Sequence, residues 1–374
     1  MKVNTLQLKN FRNIAAMELS FNEGVNIIYG ENAQGKTNIL EALWLFTGMR
    51  SFRASKDAEQ ILFGQQKADI KTEFTARNLK QSAEITFGEK KTAVLNEIKQ
   101  NSVNDFAAEY HAVIFSPEHL SLIKGGPKER RGFCDNALCQ IKPGFYEYLS
   151  KYKKNLVQRN ALLKDYKYNS SIEMMLDIFE ENLAHLGTKI ILQRKRYLKA
   201  LCEQVKRIYN GISSGKEEIE LVYAGSFSAE NEADTEKAFL EALKKSRNED
   251  MQSFTTSVGP HRDDIDILIN GISARKFGSQ GQQRSAVLAL KLGEANVLKE
   301  KTGEQPIALL DDVMSELDEQ RQDYILHHID GWQVFITCCD PHTILRLKEG
   351  KTFHIAGGKL LETTVPTETL TTEN

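Results

Sequence analysis

The chain has 374 residues, 41% of them apolar, which is enough for one large folded domain or two ordinary ones and argues against a disordered protein. Its 49 basic and 51 acidic residues give a formal charge of −2, so a surface for nucleic acid requires local segregation of charge. Five cysteines without a C-x-x-C pair do not suit a disulfide framework, and neither a signal peptide nor an apolar run of about 18 residues occurs, so we expect a cytoplasmic protein without a membrane segment.

The first predicted strand and helix surround a glycine-rich segment. The apolar strand VNIIYG ends at Gly30, and the helix that follows is stopped by Gly48. The segment that joins them, GENAQGKT at residues 30–37, fits the pattern G-x-x-x-x-G-K-[ST] of a phosphate-binding loop. A chance glycine-rich turn is the alternative, but the strand before it and the helix after it favour the loop. The apolar face of that helix repeats at helical spacing and consists of Ile39, Leu40, Leu43 and Phe46.

The residue types of GENAQGKT suit the binding of ATP and Mg²⁺. Glycines let backbone N–H groups curl around a phosphate, and the helix N-terminus adds a partial positive charge. Lys36 is expected to reach the β and γ phosphates, and the hydroxyl of Thr37 is expected to hold Mg²⁺. The predicted nucleotide contacts are Gly30, Glu31, Asn32, Ala33, Gln34, Gly35, Lys36 and Thr37.

The pattern of apolar residues changes twice further along the chain. Residues 70–115 alternate in the manner of strands, whereas residues 119–251 show long helical patterns. Short apolar runs return near the end, in PIALLDD and WQVFIT, as in buried parallel strands. We therefore expect an α/β protein with an N-terminal part at residues 1–118, a helical insertion at 119–251 and a C-terminal part at 252–374.

Positive charge is concentrated within the predicted helical insertion. Residues 142–207 hold 14 lysines and arginines against seven acidic residues. Such a stretch is often only the solvated face of a helix, and charge alone leaves that interpretation open. If the stretch binds DNA, its phosphate contacts would be salt-sensitive and mostly independent of sequence. The candidates are Lys153, Lys154, Arg194, Lys195 and Arg196.

A second glycine-containing polar segment precedes another predicted helix. In FGSQGQQRSAVLALKLGEAN, residues 277–296, the run SQGQQ lies against the start of an amphipathic helix, where Ser279 supplies a hydroxyl and Gly281 allows close backbone approach. The first loop already cradles the γ-phosphate of one ATP. We therefore expect the second segment to serve an ATP held by another copy of the chain, so that ATP links a homodimer. The predicted contacts are Ser279, Gln280, Gly281 and Gln282.

The run IALLDD supplies the carboxylates of the predicted site. Asp311 ends a buried strand and is expected to hold Mg²⁺ together with Thr37. Asp312 is the candidate general base, because its place beside the metal ligand allows it to orient or deprotonate the attacking water. A strand that ends in a helix N-cap is the alternative explanation of this run. The phosphate-binding loop elsewhere in the chain favours the metal site, so Lys36, Asp311 and Asp312 are the predicted catalytic residues.

Several motifs together resemble the RecF family, which is related to SMC proteins and ABC ATPases. SQGQQR is similar to the ABC signature, and LLDDVMSELD, ending at Asp318, is similar to a Walker B motif with its D-loop. SPEHLSLIKGGPKERRGFCD at residues 116–135, VGPHRDD at 258–264 and the N-terminal LQLKNFRN resemble further family segments. The resemblance covers essentially the full length and implies an ABC/SMC-like P-loop ATPase head with an inserted, mainly helical lid domain.

The resemblance also implies a function in recombinational repair and at replication forks. ATP binding would close a dimer on double-stranded DNA or on junctions of single- and double-stranded DNA, and RecO and RecR would act with it to load recombinase. Asp312 stands where many ABC ATPases have glutamate, and this shorter side chain suggests slow hydrolysis. No histidine follows VFIT, where transporters carry a γ-phosphate switch; Thr337 or Cys338 lies there. FSPE, residues 115–118, is the nearest equivalent of the ABC Q-loop.

Two other functions remain open at this point. An ATP-binding scaffold with negligible turnover would show the same motifs, with Asp312 in a structural role only. The ATPase subunit of a membrane transporter would share the phosphate-binding loop and the carboxylates. The signature without LSGGQ, the missing histidine and an insertion of about 130 residues argue against the transporter.

Overall fold

The computed structural model describes residues 1–54, 56–165, 172–227, 231–345 and 349–364. The chain divides into two compact units. The first, which we call the head unit, is formed by Met1–His119 and by the chain from Leu290 onward. The second, the helical unit, is formed by Leu120–Ala289.

A mainly parallel, six-stranded sheet forms the core of the head unit. In spatial order its strands are Lys359–Thr364 (β15), Lys351–Ala356 (β14), Val25–Tyr29 (β3), Val334–Cys338 (β13), Ile307–Asp311 (β12) and Ala112–Phe115 (β8). Only the β14–β15 pair is antiparallel. Every residue of β8, β12 and β13 is buried, which explains the continuous apolar runs of the sequence.

The second sheet of the head unit is antiparallel. In spatial order its strands are Ile14–Ser20 (β2), Lys2–Phe11 (β1), Ala68–Ala76 (β4), Leu79–Phe87 (β5), Thr92–Leu95 (β6) and Ile98–Lys99 (β7). Burial alternates along β4, as expected for a sheet with one covered face. The tight turn between β4 and β5 has Arg77 and Asn78 at positive φ, and Asn96 and Glu97 repeat this between β6 and β7.

The described helices of the head unit begin with the one predicted after the phosphate-binding loop. The α-helices that lie wholly within this unit are Lys36–Leu45 (α1), Glu319–His328 (α9) and His342–Leu345 (α10). α1 is buried on the predicted face at Ile39, Leu40 and Leu43, and its chain turns away at Gly48, whose φ is 80°. The predicted strand, loop and helix are therefore confirmed at their predicted places.

The helical unit contains long helices and one small sheet. Its helices are Ser121–Lys124 (α2), Pro127–Ile141 (α3), Phe145–Asp165 (α4), Ile172–Ser213 (α5), Glu232–Ser253 (α6) and Ala274–Phe277 (α7), followed by Gln280–Thr302 (α8), within which the division between the units falls. The sheet has the order Ile272–Ser273 (β11), Asp264–Ile269 (β10), Ile219–Ala224 (β9).

The structure groups residues 252–289 with the helical unit, whereas the sequence assigned them to the C-terminal part of the head. The physical reason is strand pairing: β10 pairs antiparallel with β9, with Ile265 opposite Tyr223 and Leu268 opposite Glu220. In the part of the chain that the structure describes, no helix combines the length and apolar character required to cross a bilayer.

Candidate nucleotide site

The phosphate-binding loop is shaped by two glycines with positive φ, a conformation that other residues rarely adopt. Gly30 has a φ of 150°, and a Cβ there would come within 2.2 Å of the carbonyl oxygen of Ile355. Gly35 has a φ of 112°, and its Cβ would lie 2.9 Å from Oδ1 of Asn13. Both glycines are required by backbone conformation and by the close approach of neighbouring chain.

Lys36 lies at the first position of α1 with its ammonium group turned back into the loop. The residue is only 4% exposed. Its Nζ donates to the carbonyl oxygens of Gly30 at 2.7 Å and Glu31 at 2.9 Å. Sγ of Cys339 lies 3.9 Å away. The loop thus holds one positive charge inside its curve, which fits the binding of a phosphate group.

Thr37 and Asp311 meet beside this loop, although 274 residues separate them in the chain. The Oγ1 of Thr37 donates to Oδ1 of Asp311 at 2.8 Å. They meet because β3 and β12 flank β13 in the parallel sheet, so that the carboxyl ends of these strands lie at one edge. A hydroxyl and a carboxylate are oxygen ligands of the kind that Mg²⁺ prefers, so the residues present fit this ion.

Thr337 completes the hydrogen bonding of Asp311. Its buried Oγ1 donates to the same Oδ1 at 2.9 Å and accepts from the backbone N–H of Asp312 at 2.9 Å. The sequence placed Thr337 only in the region of the missing switch histidine. Its link to both aspartates follows from β12 and β13 being neighbours, with Asp311 and Thr337 in register.

Asp312 is half-buried and has a φ of 51°. Burial raises the pKa of its carboxyl group, and the nearby charge of Asp311 raises it further. A raised pKa makes the carboxylate a stronger base, which suits the predicted role.

A glycine turn near the C-terminus of the chain supports the loop, and local sequence patterns did not predict this contact. The turn between β14 and β15 contains Gly357 and Gly358, both at positive φ. The backbone N–H of Gly358 donates to the carbonyl oxygen of Gln34 at 3.0 Å, and that of Gly357 donates to Oε1 of Gln34 at 2.6 Å. On the other side, the Asn13 amide lies 3.5 Å from the carbonyl oxygen of Ala33.

A buried carboxylate anchors α1, and it too was missed. Glu41 is fully buried and accepts from Nε of Arg12 at 2.8 Å and Nη2 at 2.6 Å. Gln60 donates to it at 3.3 Å, and Ser51 also donates to it. The sequence signal was a single glutamate within the otherwise apolar run ILEALWLF at residues 39–46, since such a residue requires partners when buried.

The predicted signature residues lie at the N-terminus of α8 in the helical unit. The backbone N–H of Ser279 donates to Oε1 of Gln282 at 2.8 Å, while the N–H of Gln282 donates to Oγ of Ser279 at 3.2 Å. This reciprocal pair is a capping box, and it keeps the first turn of a 23-residue helix ordered. Ser279 and Gln280 are exposed, whereas Gly281 and Gln282 are half-buried.

The five predicted DNA contacts do not share one environment. Lys153 and Lys154 of α4 and Arg196 of α5 are exposed, and Lys195 is half-buried. Arg194, by contrast, is 4% exposed. It donates to both carboxylate oxygens of Asp135 at 2.8 Å and to the carbonyl oxygen of Pro260 at 2.6 Å. It faces the interior of the unit, so the structure does not offer it to DNA. Residues 166–171 of the basic stretch lie outside the described residues.

The fold and the site together define a P-loop ATPase head of the ABC and SMC type. The defining features are the parallel sheet, the phosphate-binding loop and the pair formed by Thr37 and Asp311. The family model described as RecF/RecN/SMC N terminal domain matches residues 2–354. A DNA replication and repair protein RecF of Acetivibrio thermocellus is 38% identical over 369 residues, covering 95% of this chain and 100% of that protein. A RecF of Bacillus thuringiensis is 41% identical over 366 residues, covering 96% and 98%. The chain belongs to the RecF family.

Solved structures agree with this assignment. The structure described as the recombination mediator protein RecF-ATPrS in the RecFOR pathway has a TM-score of 0.90 and 38% identity, covering 96% of this chain and 97% of that chain. The corresponding RecF-ATP structure has a TM-score of 0.90, covering 97% and 98%. An Smc head domain of Pyrococcus furiosus, at 16% identity and a TM-score of 0.55, covers 98% and 97% and shares the fold. The predicted fold class is confirmed.

Proposed function

We propose that the protein is an ATP-dependent DNA-binding protein of recombinational repair and replication-fork maintenance. In this proposal it binds DNA as an ATP-induced dimer, hydrolyses ATP slowly, and acts with RecO and RecR to load recombinase at gapped DNA. The observation that carries the proposal is the meeting of Thr37 and Asp311 beside the Lys36 loop. The names of the full-length relatives, and the ATP in the name of one solved relative, support it.

The head unit supplies the residues for binding. Backbone N–H groups of the loop and the ammonium of Lys36 would bind the phosphates, and Thr37 and Asp311 would hold Mg²⁺. That ion neutralises charge on the phosphates. Thr337 fixes the Asp311 carboxylate through its 2.9 Å hydrogen bond, and the raised pKa of Asp312 supports its role as general base.

The helical unit supplies the residues for a partner's nucleotide and for DNA. Its capping box orders the N-terminus of α8, whose exposed Ser279 and Gln280 would contact the ATP held by a second copy. Lys153, Lys154 and Arg196 are exposed and would contact DNA phosphates, with Lys195 beside them. Arg194 is left out because it is paired inside the unit.

Light scattering of the pure protein tests whether ATP induces a dimer. We expect a dimer mass with ATP and a monomer mass with ADP or without nucleotide. Ser279→Arg should bind ATP and stay monomeric, because the arginine fills the space of the partner's phosphate. Ser253→Arg, at an exposed serine in the same unit, is the matched control and should still dimerise. A wild-type protein that stays monomeric at saturating ATP would contradict the proposal.

Two alternative functions, the transporter ATPase and the ATP-binding scaffold, compete with this proposal. The transporter ATPase is set aside, because the full-length relatives are RecF proteins. The scaffold without turnover is separated from the slow ATPase by steady-state phosphate release, measured with and without gapped DNA. Release that stays at the background level in both cases would favour the scaffold.

A further inference from the structure

An open groove with a cavity volume of about 380 Å³ lies on the helical unit, lined by residues of α5 and β9. Its floor is apolar and consists of Leu198, Leu221 and the ring of Tyr223. The Tyr223 hydroxyl donates to Oδ2 of Asp263 at 2.5 Å, which fixes the orientation of the ring. The floor is therefore formed before any ligand arrives, as is usual for ligand sites.

The wall of the groove on α5 is cationic. Lys195, Lys199 and Lys206 line it, against the one carboxylate of Glu203. They occupy positions i, i+4 and i+11 of one helix, so they lie along one face. At the helical rise, Lys195 and Lys199 are about 6 Å apart along the axis and Lys199 and Lys206 about 10.5 Å. The cations thus form a row beside the apolar floor.

A row of cations along an apolar floor suits a ligand with a flat apolar part and anions on either side. A nucleotide within a single strand has this character, because its base is free to leave the stack while its phosphates continue along the strand. In a duplex the bases are paired inside, so only phosphates would reach the groove. The floor would then have no ligand, and the groove would act as one more basic patch.

We infer that this groove is a subsite for single-stranded DNA, in which one base packs on Leu198, Leu221 and Tyr223 while neighbouring phosphates contact Lys199 and Lys206. The inference rests on the proposed DNA binding and assigns the groove to the single-stranded side of a gap. The Nζ of Lys195 lies 5.9 Å from the centroid of the Tyr223 ring. Its positive charge would therefore attract both the ring and the phosphates of the single-stranded DNA.

Glu203 places a negative charge among the lysines of the groove and should weaken the binding of DNA there. Its replacement therefore tests whether binding becomes tighter or weaker. Glu203 lies between Lys199 and Lys206 on α5, where its carboxylate repels a passing phosphate. Removing this charge in Glu203→Gln should tighten the binding of a single strand about two- to fivefold at low salt, with no change for a blunt duplex. Weaker binding of the single strand would show that the carboxylate supports the ligand and would overturn the assignment.

Fluorescence anisotropy with a labelled oligo-dT and with a blunt duplex of equal length measures the preference. Lys199→Glu with Lys206→Glu should weaken the single strand about tenfold or more and change the duplex by less than about twofold. The matched control is Lys244→Glu with Lys245→Glu, two exposed lysines of α6, which should leave the single strand unaffected. An equal loss for both DNAs, or none for the single strand, would overturn the subsite.

Cys202 lines the groove and reports directly on its occupation. It is half-buried, and the same protein without DNA serves as the reference. Oligo-dT should slow alkylation of Cys202 by N-ethylmaleimide, as read by peptide mass spectrometry. Inorganic phosphate at the same phosphate concentration should not protect. If phosphate or duplex DNA protects Cys202 as strongly as oligo-dT does, the groove does not bind a base. The proposed dimer is tested separately, by light scattering with and without ATP.

Discussion

Asp311 receives hydrogen bonds from two threonines, Thr37 and Thr337, on the same carboxylate oxygen. Thr37 was predicted from the phosphate-binding loop, because the loop pattern itself includes the hydroxyl. Thr337 was not, because its role depends on β13 lying beside β12. The second hydroxyl holds the carboxylate in one orientation and ties the backbone of Asp312 to the neighbouring strand. One side chain therefore positions both predicted aspartates.

His111 gives the head unit a dependence on pH that is independent of the site. It is 1% exposed, and burial lowers its pKa from 6.5 to about 4. Between pH 6.5 and pH 4 this histidine is protonated in the unfolded chain and neutral in the folded protein. The free energy of unfolding therefore falls as the pH drops from 6.5 towards 4. The full loss from this residue is about 3 kcal/mol.

His111→Gln should remove that part of the acid sensitivity. We expect the difference in the free energy of unfolding between pH 7 and pH 4.5, from urea titration, to be smaller in the variant by about 2 kcal/mol. His327→Gln, at an exposed histidine of α9, is the control and should follow the wild type. If the two variants lose stability equally in acid, His111 does not titrate as the structure implies.

At the scale of elements, local patterns predicted what lies within one segment. The strand before Gly30 and the helix after it are local, because each depends only on residues that are neighbours in the chain. The support of Gln34 by the β14–β15 turn is not local. The two segments lie 323 residues apart in the chain, so no periodicity connects them.

Gly358 connects that turn to the phosphate-binding loop, and its replacement tests the connection. Its φ is 70°, and a Cβ there would come within 2.4 Å of the carbonyl oxygen of Asn13. Gly358→Ala must therefore displace the turn from Gln34 and should raise the Kd for ATP about five- to twentyfold, a cost of about 1–2 kcal/mol. Isothermal titration with ATP measures it.

Gly331 is the matched control for this prediction. Its φ is 75°, close to that of Gly358, but a Cβ there meets nothing within 4 Å. Gly331→Ala should lose about 1 kcal/mol of stability from backbone strain while keeping the affinity for ATP. Equal affinities in the two alanine variants would mean that the turn does not position the loop.

At the scale of the whole molecule, the two segments that we propose to contact ATP belong to different units. The phosphate-binding loop is in the head unit, and the signature residues are in the helical unit. Both segments were predicted from their residues, yet the boundary of the helical part was placed at residue 251, because the pairing of β9 with β10 leaves no local signal. Composition and periodicity describe residues that are neighbours in the chain, so they do not predict which distant strands pair.

A mixing experiment tests whether two copies complete each site. Lys36→Ala removes the loop cation, and Ser279→Arg blocks the signature, so neither variant alone should hydrolyse ATP. In a mixed dimer, however, the intact loop of one chain faces the intact Ser279 of the other. Neither variant is expected to dimerise alone, so the dimers that form in an equal mixture are mixed, each with one complete site of two, and up to about half of the wild-type phosphate release should return.

The control for this mixture is a chain that carries both substitutions. Mixed with either single variant, it forms no complete site, because the loop or the serine is always missing, and the rate should stay at background. Recovery in the first mixture and none in the second requires residues from two chains at one nucleotide. If the first mixture also stays at background while both variants keep their fold, each chain uses its own Ser279 or none, and ATP does not link two copies through the signature.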